Sequence, residues 1–342
     1  MKGWANAMAM CLAAAAAAPG AAEVSEACAP YFENQRFTLI IPNPPGGGFD
    51  AYGRAFAPVM EEVTGASVQV VNQPAGGGLI GVANVANAAP EDNVIGFFAT
   101  NDFLGIALST TRPEDLMPLG ALVVDNWVWI TRPEKQLDDF IGKPITSGAP
   151  HVEAVLTRQL LPARALRSEL SVVAGYPGSA LSTPALLRGD VDLLHRSYPH
   201  ALLLEQAGDV RILFSLTEGP VVPGATLPHL AGEGGVVDRI TKDLPPAERA
   251  QRMEDAMLAA ELNTHFRAVF VSSNVTGERL ECLSAAVETA LFEPGLADAV
   301  AAIRRPYGPM KAEDARTFMA RLAAAYARAE PVLEDLRDEA LQ

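Results

Sequence analysis

Apolar and polar positions in the first third of the chain fall into a repeating order. Phe37 to Ile41 is a short run of branched and aromatic residues stopped by Pro42, which predicts a buried strand. From Ala51 to Val63 apolar residues recur at helical spacing (Ala51, Ala55, Phe56, Val59, Met60, Val63), and Gly65 closes the helix. Val68 to Val71 predicts a second strand, Leu79 to Ala88 a second helix, and Val94 to Ala99 a third strand. The first two strands lead into their helices through loops with three consecutive glycines. These are Pro44-Pro45-Gly46-Gly47-Gly48-Phe49-Asp50 and Asn72-Gln73-Pro74-Ala75-Gly76-Gly77-Gly78. Strand, glycine loop and helix in repetition is the order of an α/β sheet with parallel neighbours, whose ligands bind at the edge where such loops lie.

The middle of the chain keeps the theme less regularly. Leu122 to Ile130 predicts a strand, Gln136 to Ile141 a helical stub, Val152 to Leu161 a helix and Leu170 to Val173 a strand. Tyr176-Pro177-Gly178-Ser179 predicts a loop opening a helix that runs through Leu187 and stops at Gly189. Val191 to Leu194 and Val210 to Leu216 predict further strands. The tail predicts helices over Ala247 to Leu262, Glu278 to Phe292 and Ala312 to Ala329, with a strand over Ala268 to Val271. The expectation is two α/β lobes.

With 342 residues, the chain has the length of about two ordinary domains, and at 49% hydrophobic it can bury a full core. A formal charge of −15 makes nucleic acid and anionic membrane surfaces poor partners. Residues 1–22 predict a cleaved signal peptide: Lys2 precedes the apolar run Ala5 to Ala18, Pro19-Gly20 breaks it, and Gly20-Ala21-Ala22 supplies small residues. An exported, periplasmic protein follows. No later segment approaches the ~18 apolar residues of a membrane helix, so no direct membrane insertion is expected. Beyond Cys11 in the signal, Cys28 and Cys282 either form one bridge or stay free thiols.

Glycines ahead of a helix leave backbone N–H groups accessible to a ligand, and the helix adds roughly half a positive charge at that end. Two such loops could hold a carboxylate without Arg or Lys. Each helix end contributes about 0.3–1 kcal/mol, and each charge-assisted hydrogen bond about 1.5–3 kcal/mol. Together they approach the ~8 kcal/mol of micromolar binding. Asp50 reads first as an N-cap and second as a ligand contact, while Phe49 suits either a pocket wall or the core. Trp127 and Trp129 alternate on one strand and so share a face, which either lines the cleft or packs beneath the hinge.

One competing pattern is Gly76-Gly77-Gly78-Leu79-Ile80-Gly81, a G-x-G-x-x-G match with Asp102 further on. Asn72 to Ala75 separate it from the strand, unlike a dinucleotide turn. Nucleophile-elbow, P-loop and zinc-protease motifs are missing, and the five histidines show no metal-ligand spacing. No catalytic residue, metal or cofactor is therefore assigned. Asp190 and Asp192, flanking Val191, read as a solvated turn.

The assembled motifs resemble the extracytoplasmic solute receptors of tripartite tricarboxylate transporters, the TctC or Bug family. Its pattern P-G-G-G-x-D is matched by Pro45-Gly46-Gly47-Gly48-Phe49-Asp50, and its N-x-P-G-A-G-G-x-x-G by Asn72 to Gly81. Ala89-Pro90-Glu91-Asp92 follows where the family has A-P-D-G. Its P-Y-K-G-S and G-x-V-D are echoed by Tyr176-Pro177-Gly178-Ser179 and Gly189-Asp190-Val191-Asp192, with Pro177 in place of Lys. The glycine- and serine-rich loop before the second lobe's long helix is shortened to Ser147-Gly148-Ala149-Pro150-His151.

The resemblance implies a type II periplasmic-binding fold, each lobe a mixed sheet flanked by helices. Lobe one would be 36–125 plus 218–342, lobe two 126–217, joined by crossing strands near Val124–Thr131 and Ile212–Ser215. It implies a monomer that captures a di- or tricarboxylate or an aromatic acid and delivers it to integral-membrane transporter subunits. Candidate contacts are Pro45, Gly46, Gly47, Gly48, Phe49, Asp50, Ala75, Gly76, Gly77, Gly78, Thr100, Asn101, Tyr176, Gly178 and Ser179. The alternatives are a ligand sensor of the same fold and a dinucleotide-dependent enzyme.

Overall fold

The computed structural model describes residues 24–100, 103, 110–176, 178–222 and 224–341. The expected signal peptide, Asn101, Asp102 and Pro177 lie outside them. The opening units form as their pattern predicts. β1 (Arg36–Ile41), α1 (Gly48–Thr64), β2 (Ser67–Asn72), α2 (Leu79–Ala86) and β3 (Val94–Ala99) follow in order. Gly65 ends α1 in the left-handed conformation, its N–H returning to the Glu61 carbonyl. Tyr52, Phe56 and Met60, four residues apart, bury the α1 face that packs in one core with Leu39 and Ile41. Gly53 lies on that face because a Cβ there would collide with Ile41.

β4 (Leu116–Thr131) begins six residues before the expected strand. β5 (Pro144–Ala149) is a strand where a glycine- and serine-rich loop was expected, because Ile145, Ser147 and Ala149 bury themselves as it pairs in parallel with β6 (Glu169–Ala174). The expected helix over 152–161 is instead a 3-10 turn, a π turn (Leu156–Leu160) and the short α3 (Leu161–Ala165). Pro162 accounts for the break, since it has no N–H to offer the Arg158 carbonyl one turn back. That carbonyl accepts the indole N–H of Trp129 at 2.8 Å instead.

After α4 (Ser179–Arg188), β7 (Leu194–Ser197) lies a few residues beyond the expected strand, and Val191 is a buried turn residue. Asp192 is more than a solvated turn residue. Its carboxylate accepts from the Thr146 N–H at 3.1 Å and hydroxyl at 2.8 Å, fixing this turn to β5. Asp190 stays at the surface, paired with Arg188. α5 (Tyr198–Gln206) leads to β8 (Arg211–Glu218) and β9 (His229–Ala231). α6 (Val236–Ile240), α7 (Pro246–Leu262), β10 (Thr264–Ser272), α8 (Gly277–Phe292), α9 (Pro294–Ala302) and α10 (Ala312–Ala340) complete the chain.

The main sheet runs β2-β1-β3-β10-β4-β8-β9, with β7 also on β4. β1 is parallel to β2 and β3, whereas β10 is antiparallel to β3 and β4. β4 changes partners along its length. Leu116 to Asn126 pair with β10, and Trp127 to Thr131 pair with β7 and β8. One continuous strand thus belongs to two groups of strands, and its partner exchange falls between Asn126 and Trp127. Cys28 and Cys282 form a disulfide that joins the N-terminal 3-10 turn to α8 inside the core around α1.

Candidate functional site

A cavity of about 330 Å³ opens beside that partner exchange. Gly48, Phe49, Gly77, Arg267 and Arg305 line one side, and Trp127, Tyr176, Ser179, His195 and Arg196 line the other. Both glycine loops therefore reach one cleft.

The first loop is held by its own side chain. Gly46 adopts φ +78°, and its N–H donates to Asp50 Oδ2 at 2.8 Å. Asp50 Oδ1 accepts from Arg54 Nε at 3.0 Å. Gly47, in extended conformation, is the N-cap, so Asp50 is not; it lies inside the first turn and braces the loop from behind. Burial opposes the charge on Asp50, but Arg54, the Gly46 N–H and Asn72 outweigh it and hold the carboxyl below its ordinary range. The first-turn amides of Gly48 and Phe49 have no intrahelical acceptor.

The second loop strings together three left-handed glycines, Gly76, Gly77 and Gly78, at φ +63°, +69° and +99°. A Cβ on Gly78 would lie 2.5 Å from the Pro42 carbonyl oxygen, and one on Gly77 2.8 Å from His151 Nε2. Glycine is demanded here twice over, by backbone conformation and by close approach.

Across the cleft, Tyr176 lies against Gly148, and Gly178 caps α4. Arg196 on β7 reaches the first and second turns of that helix. Its Nη2 donates to Ser182 Oγ at 2.7 Å and Thr183 Oγ1 at 2.8 Å, and its Nη1 to the His195 carbonyl at 2.7 Å. Arg196 is only 8% exposed, its Nε has no partner, and no carboxylate among the described residues pairs with it. Burial lowers its pKa to about 10, so it remains a cation at neutral pH.

Arg267 rises from β10 on the opposite side, 5% exposed, with Nη2 3.4 Å from Asp125 Oδ2. Its guanidinium stacks over Phe49 at 5.0 Å and Tyr52 at 5.3 Å, and its Nε has no partner. Arg305 Nη1 comes within 3.4 Å of where a Gly48 Cβ would stand. Burial and Arg267 both depress the pKa of Arg305, with Asp125 acting the other way. Burial raises Asp125, and Arg267 offsets part of the rise. His195 falls well below its usual value through burial, Arg158 and Arg196. His200 falls to about 4 through burial, Arg196, Arg305 and Arg267. These guanidiniums surround neutral imidazoles.

Of the expected contacts, Gly48, Phe49, Gly77, Tyr176, Gly178 and Ser179 line the cleft. Pro45, Gly46, Gly47, Asp50, Ala75, Gly76 and Gly78 shape the loops without lining it, and Thr100 is fully buried elsewhere. The tryptophan pair splits its roles. Trp129 is buried against Phe214, while half-buried Trp127 faces the cleft, edge-on to His195 and beneath the Arg158 guanidinium. The glycine loops were read as able to hold a carboxylate without arginine; Arg158, Arg196, Arg267 and Arg305 nevertheless all line the cleft. Sequence reasoning missed them, since Arg196 and Arg267 each stand in the sequence only as a polar residue beside an apolar run.

No family model matches the chain. A UPF0065 protein of Pseudomonas sp. strain P51, from the tcbD-tcbE intergenic region, is 28% identical over 178 residues, covering 49% of this chain and 47% of that protein. BugT of Bordetella pertussis is 26% identical over 205 residues, covering 54% and 63%. The chain thus spans about half of one curated relative and three fifths of the other. A TctC solute-binding protein from Polaromonas superposes with a TM-score of 0.61 at 21% identity, over 86% of this chain and 97% of its own. The periplasmic binding protein BugD gives 0.63 at 17%, over 90% and 98%. MatC of Rhodopseudomonas palustris with bound malate gives 0.63 at 18%, over 90% and 100%. The fold is that of the two-lobed periplasmic binding proteins. At modest sequence identity the chain is similar to Bug and TctC solute-binding proteins. No helix among the described residues is long and apolar enough to cross a membrane.

Proposed function

We propose that this chain is an extracytoplasmic solute-binding protein that captures a small carboxylate and presents it to a tripartite tricarboxylate-type transporter. The observation that carries the reading is Arg196, a cation buried in the cleft wall with no carboxylate to neutralise it among the described residues. Burying such a charge is costly unless an anion completes the site. The glycine-led start of α1 faces the same space and adds its own partial positive charge. Malate bound to MatC is the kind of ligand this chemistry fits.

Lobe one would comprise 36–125 and 218–342, and lobe two 126–217, with β4 and β8 crossing between them. Closure of the lobes on the ligand would mark the occupied form for the membrane subunits. The test is titration of the purified protein with small carboxylates, read by Trp127 fluorescence and melting temperature. A receptor gives saturable one-to-one binding with ligand recovered unchanged, and ligand at 100 times its Kd stabilises by about 2.7 kcal/mol. Turnover of the ligand, or no response to any carboxylate, would sink the reading.

A further inference from the structure

We infer that His151 is a latch across the mouth of the cleft: its imidazole seats on Gly77 when the cleft closes, and this contact sets how long a bound solute stays. The inference rests on the receptor reading above and concerns release rather than the chemistry of the ligand.

The two residues come from different sheets. Gly77 lies in the loop between β2 and α2 of the main sheet, whereas His151 follows β5 of the separate β5–β6 pair. Both line the cleft, and Gly77 is exposed, which places their meeting point at the mouth. His151 Nε2 comes within 2.8 Å of the place a Gly77 Cβ would take. The other glycines lining the cleft show no such crossing. Gly48 faces Arg305 and Arg267 of its own wall, and Gly148 faces Tyr176 and Leu194 of its own. Gly178 has no neighbour within 4 Å of its Cβ position.

Each partner stands on a firm mount. Ahead of His151, the Ala149 and Pro150 carbonyls accept from the Tyr176 and Gly175 N–H groups at 3.0 and 3.4 Å. Behind it, the His151 carbonyl accepts from the Ala154 N–H at 3.3 Å. On the far wall the Gly78 N–H donates to the Pro74 carbonyl at 3.1 Å, and the Gln73 N–H to the Ile41 carbonyl at 2.8 Å. Backbone pinned in this way moves with its wall. The gap between His151 and Gly77 then follows the angle between the walls, which can change where β4 exchanges partners between Asn126 and Trp127. Any side chain at position 77 would push the imidazole off its seat. A contact made only across the closed mouth stabilises the closed form and leaves the open form as it was. Breaking it therefore speeds release without slowing capture.

The experiment is stopped-flow tryptophan fluorescence of the whole protein with malate, adipate and benzoate as probes. It compares wild type, His151→Ala, Gly77→Ala and the double variant. His151→Ala is expected to raise the release rate about three- to tenfold, the loss of one modest contact, with the association rate within about twofold. The latch touches protein and not solute, so the factor is expected to be the same for every probe that binds. Gly77→Ala already displaces the imidazole, so adding His151→Ala to it should change release no further. His151 is only partly buried, so its variant decides the matter even if Gly77→Ala misfolds. Three results overturn the latch and leave the receptor standing: an unchanged release rate in His151→Ala, a slowed association, or a double variant that releases faster than Gly77→Ala alone. A factor that differs from probe to probe also overturns it, making His151 a direct ligand contact instead. Silence from all three probes in the wild type overturns the receptor reading, and the latch with it.

Discussion

Arg196 Nη2 donates to Ser182 Oγ at 2.7 Å, fastening a buried cation of β7 to the first turn of α4. A helix already carries roughly half a positive charge at that end, so like charge is set against like. The empty protein bears this cost continuously. Arg196→Met should therefore leave the ligand-free protein as stable or up to about 1–4 kcal/mol more stable, while carboxylate binding is lost. Urea unfolding without ligand, alongside titration of the same sample, measures both.

The glycines of the two loops differ in what they require. Gly47 is extended, with a Cβ position 3.3 Å from the Pro44 carbonyl oxygen, whereas Gly77 is left-handed and would meet His151 at 2.8 Å. Gly47→Ala should shift stability by less than ~1 kcal/mol, and Gly77→Ala should cost about 1–3 kcal/mol. Thermal melts of the two variants give the comparison. Equal losses would show that loop conformation is not what selects glycine here.

The pH response follows from His200. Its folded pKa is about 4 against an ordinary value of 6.5. Between those values the unfolded chain binds a proton that the folded chain refuses, so stability falls as pH drops from about 6.5 towards 4 and is unaffected by this group above that range. His200→Gln should flatten part of the decline in a plot of melting temperature against pH, with His195 contributing the same sign. A bound anion offsets the field of Arg196, Arg267 and Arg305, so ligand should enter with net proton uptake near pH 5.5. Calorimetry in two buffers of different ionisation enthalpy detects that uptake.

Joint replacement of Cys28 and Cys282 by alanine should cost about 2–5 kcal/mol of stability. Neither sulfur lines the cleft, so ligand affinity should stay within about twofold, by the same titration. A large affinity change would mean that the N-terminal turn and the cleft are mechanically linked.

The elements from β1 to β3 were legible to within a few residues because their signal is local: apolar period, glycine, proline. The two glycine loops were legible for the same reason. The guanidiniums were not. Arg267 abuts the run Ala268 to Val271 and Arg196 follows the run ending at Leu194, so each marks a polar boundary in a window of a few residues. Only the antiparallel pairing of β4 with β10 and with β7, over long sequence separations, turns those boundaries into walls of one cavity. Pro162 shows the same limit. Its missing N–H was readable, but the indole of Trp129 that takes up the freed Arg158 carbonyl was not.

The Cys28–Cys282 bond closes a covalent ring around 254 residues of sequence separation. Every cleft-lining residue from Pro42 to Arg267 lies on that ring, and among the described residues Arg305 alone hangs on the tail outside it. Tension applied at the two chain ends would load the sulfur bridge and leave the enclosed polypeptide slack. Arg305 would then be the first wall of the cleft to be dragged away, and a force-spectroscopy trace should lose ligand protection before the ring itself gives.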